Sequence, residues 1–386
     1  MIQPELKAYR RCSDRHVLVL ETNLTYVEKC QIFHYADLIR KAGNELTGIM
    51  KKRYDQLVRT KRYRKLKSLY KKYKDADNKK ALKDVCDQMK EMQKQYDVTW
   101  DYCRTSMIPI GKKYGIDAVF ALTKAEDIFH GIEKCLYSDG ETIHFKKRGD
   151  LPCIRAKQIN RGIIMKQMNF KFKNMEFGVN IKDRYEQEEV DAVLYYLKNA
   201  ELMDSIAANT YKETDICVST YRPCYVSLVC KKIRGKLRVY VHITIEGLSK
   251  PKYDRFGNFK HNKGKGIVGC DIGTQTIAYT TETKAGLKNL AERGSSIEVN
   301  ERKERRIYRA MDRSRRATNP DNYNEDGTIK KGKKKWTYSN RYKKLRTKHT
   351  ELCRINATNR HLAINEDVND LRSLGDIFVT EPKNAK

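Results

Sequence analysis

Two carboxylates stand out because each closes an apolar run. In Gly266-Ile-Val-Gly-Cys-Asp271 the run delivers Asp271 at its end, and Gly273 follows to permit a tight turn. In Asp376-Ile-Phe-Val-Thr-Glu381 a second compact run delivers Glu381. A metal site wants oxygen ligands on rigid elements beside a turn that lets a substrate backbone approach. The plainer reading of Asp271 is a strand-end aspartate capping its own turn through its side-chain oxygen. Other residue types offer less. The eleven cysteines contain no Cys-x-x-Cys pair, so a disulfide framework and a zinc site are not expected, and any metal is expected to be held by oxygen. His144, His242, His261, His349 and His361 show no ligand spacing, Cys270 reads as a small buried residue, and no serine or threonine completes a triad.

The elements that must position the pair can be read around it. Gly266 to Asp271 and Thr276 to Thr281 suit a hairpin, Ser295 to Val299 a third strand, and two basic helices should follow, separated by the turn-rich Asn319 to Gly327. The second helix should run through Leu345, Leu352, Ile355 and Leu362 towards Leu374, with Gly375 ending it before the strand that carries Glu381. Strand, hairpin, third strand, helices and strand is the order of an RNase H-like sheet, whose fourth strand lies parallel beside the first. That order would draw Asp271 and Glu381 to one edge, although 110 positions separate them. Paired carboxylates can hold Mg²⁺, and phosphodiester hydrolysis uses two such ions, one activating water and one stabilising the leaving oxygen.

The rest of the 386-residue chain points to a polyanionic partner. Lys and Arg number 80 against 49 Asp and Glu, a net charge of +31, while 39% hydrophobic residues are enough to build a core. No run approaches the ~18 apolar residues of a membrane span, and Met1 to Arg10 lacks the apolar core of a signal peptide, so a cytoplasmic protein without a membrane partner is expected. Val17 to Leu20 reads as a mostly buried strand. From Val27 the period turns helical, with Ile32, Tyr35, Ala36 and Ile39 in phase and no proline before Pro109. Lys51 to Lys80 holds 14 basic and three acidic residues interleaved with Tyr54, Tyr63, Tyr70 and Tyr73, as suits a helical lobe on a sugar-phosphate backbone. Strand signals return at Thr142–Lys146, Gly162–Lys166, Phe170–Ile181, Ile216–Thr220, Tyr225–Lys231 and Leu237–Ile245, with a hairpin turn at Lys232 to Gly235. An amphipathic helix interrupts them from about Gln187 to Ala208, with Val190, Val193, Leu194, Leu197 and Met203 on its apolar face. The expected fold class is α+β and multidomain. Residues 1–26 and 114–250 would form a small wedge-like β-barrel, 27–113 an inserted helical recognition lobe, 251–264 a linker and 265–386 an incomplete RNase H-like domain.

Gly269-Cys-Asp271-Ile-Gly273 resembles the first RuvC motif of TnpB-type transposon-encoded RNA-guided nucleases, relatives of the small type V CRISPR effectors. Glu304 to Arg316 and Lys333 to Arg346 are similar to that family's basic helices between the first two RuvC motifs, and Ile377 to Glu381 to its second motif. The resemblance covers residues 265–386 by motif and the rest only by layout. It implies an RNA-guided DNA endonuclease of a mobile element, with guide RNA and target DNA as partners, Mg²⁺ as cofactor, and a prokaryotic cytoplasmic, nucleoid-associated location. Asp271 and Glu381 would be the catalytic metal ligands. Nucleic acid would be met by Arg305, Arg306, Arg309, Arg313, Arg315 and Arg316, by Lys333, Lys334, Lys335, Arg341, Lys343, Lys344 and Arg346, and by Lys51, Lys52, Arg53, Lys61, Arg62, Arg64 and Lys65.

The chain departs from the family in two respects. A third acidic motif and the family's Cys-x-x-Cys zinc ribbon have no counterpart in it, and Pro382 and Lys383 stand where the family often has a carboxylate and leucine. A fragment or a shortened copy, with weak or no cleavage by itself, is therefore expected. Two rivals share features with this reading. Asp271-Ile-Gly-Thr274 also fits the first hairpin of sugar kinases, actin and heat-shock ATPases, but no second glycine-rich phosphate loop follows. A non-catalytic guide-dependent or structural nucleic-acid-binding protein shares every basic feature and differs only at the carboxylates.

Overall fold

A capping box starts the first helix. The N–H and hydroxyl of Thr25 donate to the Glu28 carboxylate at 2.8 and 2.7 Å, and the Glu28 N–H donates back to the Thr25 hydroxyl at 3.3 Å. Donors that a helix end leaves open are thereby satisfied. The computed structural model describes residues 14–138, 140–214, 220–254, 256–261, 264–290, 292 and 295–381. These divide into two units, Met1–Lys232 with Lys236–Lys250, and Ile233–Gly235 with Pro251–Lys386.

In the first unit α1 (Tyr26–Arg59) buries Ile32, Tyr35, Ala36, Ile39, Leu46 and Met50, one stripe at three- and four-residue spacing. Thr60 ends it and begins α2 (Lys61–Asp75), donating to the Leu57 carbonyl at 2.8 Å and accepting from the Tyr63 N–H at 3.3 Å. Three more helices follow, α3 (Lys79–Gln95), α4 (Trp100–Lys113) and α5 (Ala118–Tyr137). The helical stretch thus runs past the boundary expected at residue 113. Pro109 lies inside α4, and Gly111 lets α5 approach so closely that a Cβ there would sit 3.1 Å from that of Ala121.

The strands of this unit are β1 (Arg15–Thr22), β2 (Ile154–Arg155), β3 (Ile163–Lys166), β4 (Asn169–Phe172), β5 (Met175–Phe177), β6 (Val179–Asn180), β7 (Arg222–Ile233) and β8 (Lys236–Glu246). They form a five-stranded sheet, β2-β7-β8-β1-β6, and a separate three-stranded one, β3-β4-β5. The expected barrel is therefore not present: among the described residues neither sheet closes. β2 and β6 are two-residue edges, and β3 to β5 pair only with one another. Helices complete the core instead. Tyr35 and Phe120 meet Phe172 edge-on at 5.5 and 5.7 Å, and a single apolar cluster runs from Leu18 through these rings to Ile245.

Other local expectations need correction. β1 is buried on one face only, with Leu18 and Leu20 inside and Val17 and Val19 exposed. Residues 142–146 form no strand, because Lys146 is pinned to α1 by two 2.9 Å hydrogen bonds with the Asn44 amide. Residues 216–219 of another expected strand lie outside the described residues. The expected single helix is two, α6 (Arg184–Lys198) and α7 (Ala200–Thr214), separated at Asn199. The hairpin at Lys232 to Gly235 forms, with Arg234 and Gly235 both left-handed (φ 51° and 77°), as a two-residue turn between twisted strands requires.

The second unit contains β9 (Ile267–Ile272), β10 (Thr276–Thr280), β11 (Ala285–Asn289), α8 (Ser295–Thr318), α9 (Asn340–Arg372) and β12 (Ile377–Thr380). Sheet order is β11-β10-β9-β12; β10 is antiparallel to both β9 and β11, and β12 is parallel to β9. The third strand is therefore Ala285–Asn289, and Ser295–Val299, expected as that strand, opens α8. A turn closed by the Thr281 N–H donating to the Lys284 carbonyl at 2.7 Å returns the chain early. β12 docks beside β9 where glycines allow contact. A Cβ on Gly375 would lie 2.5 Å from the Gly266 carbonyl, and the Asp376 carboxylate accepts from the Gly266 N–H at 2.9 Å. No helix among the described residues is long and apolar enough to cross a membrane.

Candidate metal edge and basic surfaces

Parallel register sets the position of the two carboxylates. Ile377 pairs with Ile267, Val379 with Gly269 and Thr380 with Cys270, so Glu381, one residue beyond the last pair, follows in line with Asp271. Neighbouring strands lie about 4.8 Å apart, and side chains alternate between faces, so the pair shares one face. Opposite it, Val268 and Cys270 are buried with Leu371 of α9, and Ile277, Tyr279 and Leu374 pack around them. The carboxylate face is open: Asp271 and Glu381 are exposed, as are Ile267, Leu287, Ile377 and Val379. Asp271 does not cap its own turn. Among the described residues neither carboxylate is engaged in a hydrogen bond or ion pair. The turn closes through its backbone, the Gly273 N–H donating to the Thr276 carbonyl at 2.9 Å. Gly273 is needed for space, since its Cβ would lie 3.1 Å from that carbonyl. Two unpaired hard oxygen donors on adjoining rigid strands fit Mg²⁺, which binds through one or two carboxylates and keeps several waters.

On α8 Arg305, Arg306, Arg309 and Arg313 are exposed, and among the described residues none is held in an ion pair. Arg302, Arg306, Arg309 and Arg313 recur at three- and four-residue spacing, which makes a cationic stripe along one face. Arg315 and Arg316 are different. Asp312 binds them at 2.7 and 2.9 Å, and their guanidinium groups lie over Trp336 and Tyr323 at 5.3 and 5.4 Å. They anchor the insertion 319–339, whose buried Asn319 donates to the Thr337 carbonyl at 2.8 Å and accepts from its N–H at 2.7 Å. Both are thus held by local contacts that, among the described residues, Arg305, Arg306, Arg309 and Arg313 lack, although Arg316 remains exposed. Lys333, Lys334 and Lys335 are in that insertion rather than on a helix; Lys333 and Lys335 are exposed, and the Lys334 ammonium donates to the Lys330 carbonyl. Arg341, Lys343, Lys344 and Arg346 are exposed on the first turns of α9.

The first unit has its own basic face. Lys52, Lys61, Arg62, Arg64 and Lys65 are exposed, and Arg64, Lys67, Ser68, Lys71, Lys72 and Asp75 line a shallow groove along α2. Lys51 is paired with Asp55 at 2.8 Å, while Arg53 lies over the Tyr102 ring and 3.6 Å from Asp97. The interleaved tyrosines are not a stacking platform. Tyr54 and Tyr63 are buried, Tyr70 and Tyr73 pack on the core, and burial pushes the Tyr54 and Tyr63 phenols up.

Two clusters escaped the sequence reading. In the first unit Glu189, fully buried, takes His16 Nε2 at 2.8 Å and the Lys250 N–H at 2.6 Å, and His16 Nδ1 meets the Gly247 carbonyl at 2.7 Å. Burial alone would lower the His16 imidazole, but the Glu189 bond and charge with the Gly247 carbonyl leave it raised. Burial raises Glu189, and the His16 and Lys250 bonds outweigh it, leaving it lowered. In the second unit Glu304, His349 and Cys353 converge between α8 and α9. The signal for that cluster was His-x-x-x-Cys, one helical turn, on a segment already read as helix. Of the other histidines, His242 is half-buried on the face of β8 opposite the core residues Val241 and Ile243, and burial pushes it down to about 4. No known family model matches the chain, and no curated protein matches it.

Proposed function

We propose that the chain binds nucleic acid and carries a metal-dependent phosphodiester-hydrolysing site of the RNase H-like, RuvC type. The parallel β9–β12 register, which sets Glu381 in line with Asp271 on the open face of an antiparallel-then-parallel sheet, carries this reading. Guidance by RNA towards a DNA target, as in TnpB-type nucleases, is supported by the Gly269 to Gly273, Glu304 to Arg316 and Ile377 to Glu381 motifs.

Asp271 and Glu381 would hold the metal. Mg²⁺ there supplies Lewis acidity towards a phosphodiester and lowers the pKa of water. The chain supplies position and charge: β9 and β12 fix the carboxylates, the open face leaves room for a nucleic-acid backbone, and the α8 stripe neutralises phosphates. The exposed α2 cations give the first unit a basic groove of its own that suits phosphates.

Mn²⁺ titration followed by electron paramagnetic resonance tests the site. Asp271→Asn and Glu381→Gln should each weaken Mn²⁺ binding at least tenfold while leaving the affinity for a single-stranded DNA or RNA oligonucleotide within twofold. Unchanged Mn²⁺ binding in both variants would refute the metal edge. Nucleic-acid binding retained beside that result would favour a non-catalytic binding protein.

A further inference from the structure

Glu304 lies on α8, and His349 and Cys353 lie one turn apart on α9. His349 Nε2 is 3.0 Å from Glu304 Oε1, Cys353 Sγ is 3.4 Å from that oxygen, and the sulfur is 3.6 Å from Nε2. A tetrahedral zinc ion, with bonds of about 2.3 Å to sulfur and about 2.0 to 2.1 Å to nitrogen and oxygen, spaces such ligands about 3.3 to 3.6 Å apart. The three donors already form nearly that triangle. We propose that Glu304, His349 and Cys353 bind one Zn²⁺-class ion that staples α8 to α9, with a water in the fourth position.

The donor set decides the class of ion. Thiolate and imidazole select zinc-like metals over Mg²⁺, the reverse of the Asp271 and Glu381 pair. Binding replaces the Glu304 to His349 and Cys353 to Glu304 hydrogen bonds by metal–ligand bonds and releases the thiol proton to solvent. Carboxylate, thiolate and neutral imidazole then balance the 2+ charge, so the filled site is neutral between two cationic helices. The Tyr308 ring packs edge-on against the imidazole at 5.2 Å and limits its rotation. The half-buried side chains leave the fourth position accessible to water. The staple sits between two weaker links of the same helices, Ser314 to Ser339 at 2.8 Å and Arg360 to Glu301 at 3.4 Å. It would fix the spacing of the two basic helices whatever the chemistry at the sheet edge.

Cobalt is the probe. The full chain, stripped of metal under a non-thiol reductant, should take up one equivalent of Co²⁺ with thiolate-to-cobalt charge-transfer absorption. Zn²⁺ should discharge the band, and excess Mg²⁺ should not. Cys353→Ser should abolish it, and His349→Ala, which removes a direct ligand, should weaken Co²⁺ binding by more than the roughly 100-fold that the loss of an outer-layer partner costs. Asp271→Asn should keep it, so failure of the nuclease reading would leave this result standing. With far-UV circular dichroism showing each variant folded, a wild-type chain without the band would overturn the proposal. So would a band that survives in both Cys353→Ser and His349→Ala. Zn²⁺ should also slow amide exchange around residues 304 and 349–353 at least tenfold, and equal exchange with and without it would count against the staple.

Discussion

The two units distribute their apolar residues differently. In the first, helices and sheets share one cluster that includes Phe120, Phe170 and Phe172, all nearly inaccessible. In the second, three buried residues and three flanking ones cover one face of a four-stranded sheet, and the other face presents Ile267, Leu287, Ile377 and Val379 to solvent beside the carboxylates. The second keeps its rigid strands and leaves open the face where oxygen donors gather, which is where a binding site gains from accessibility.

Breaking the sheet edge gives the largest expected effect. If the second unit hydrolyses phosphodiesters, Asp271→Asn should bring its weak Mg²⁺-dependent cleavage down to background, a loss of up to about 10³-fold, with no change in melting temperature. A gel assay on the guide-loaded chain reads this, and equal cleavage by variant and wild type would remove Asp271 from the chemistry. Stability should respond in the opposite place. Phe172→Ala should cost the first unit about 3 to 5 kcal/mol, and Val268→Ala should cost the second roughly 2 kcal/mol. Exchange mass spectrometry resolves the units separately, and equal losses would erase the contrast between them.

The same contrast explains what could be read in advance. The β9 and β12 ends were legible because an apolar run closing on a carboxylate beside glycine is a strong local pattern, and parallel pairing then followed from element order. β11 was not: Ala-Gly-Leu-Lys-Asn is a weak strand, while Ser-Ser-Ile-Glu-Val carries both β-branched residues and a helix-start signal, and the helix won. The barrel failed because period-two runs show that strands exist but not which partners they take. The β3–β4 turn even sets Gln167 and Met168 in the left-handed region (φ 46° and 64°) without a glycine to announce it. The tyrosines of α1 and α2 were not decisive, because interleaving with lysine is equally the pattern of a helix whose other face is buried. Glu304 reaches His349 only through the packing of two helices, which no local spacing records.

Between these effects in size is the buried pair that ties β1, α6 and the end of the first unit together. His16→Ala leaves Glu189 buried without its cationic partner and should cost about 3 kcal/mol. The sign with pH follows from both shifts. His16 is raised above its ordinary 6.5, so its contribution is full below that value and is lost as pH rises through the raised one. Glu189 is lowered below its ordinary 4.5, so its contribution is present above that value and is lost as pH falls through the lowered one. Urea melts should therefore show the wild-type excess over His16→Ala greatest between pH 4.5 and 6.5 and shrinking on both sides. An excess that grows above pH 8 would contradict the pairing.

The smallest effect separates arginines that look alike in sequence. Arg309 is exposed on the α8 stripe and unpaired among the described residues, whereas Arg315 is half-buried, bound to Asp312 and laid over Trp336. If the stripe meets phosphates, Arg309→Ala should reduce the slope of log affinity against log salt for an oligonucleotide by about 1 and leave the melting temperature unchanged. Arg315→Ala should do the reverse. It removes one of the two arginines on Asp312 and the cation above the indole, so it should loosen residues 319–339 in amide exchange while the salt slope stays constant. A steeper loss of salt dependence from Arg315→Ala than from Arg309→Ala would mean that the insertion, and not the helix face, carries the nucleic-acid contact.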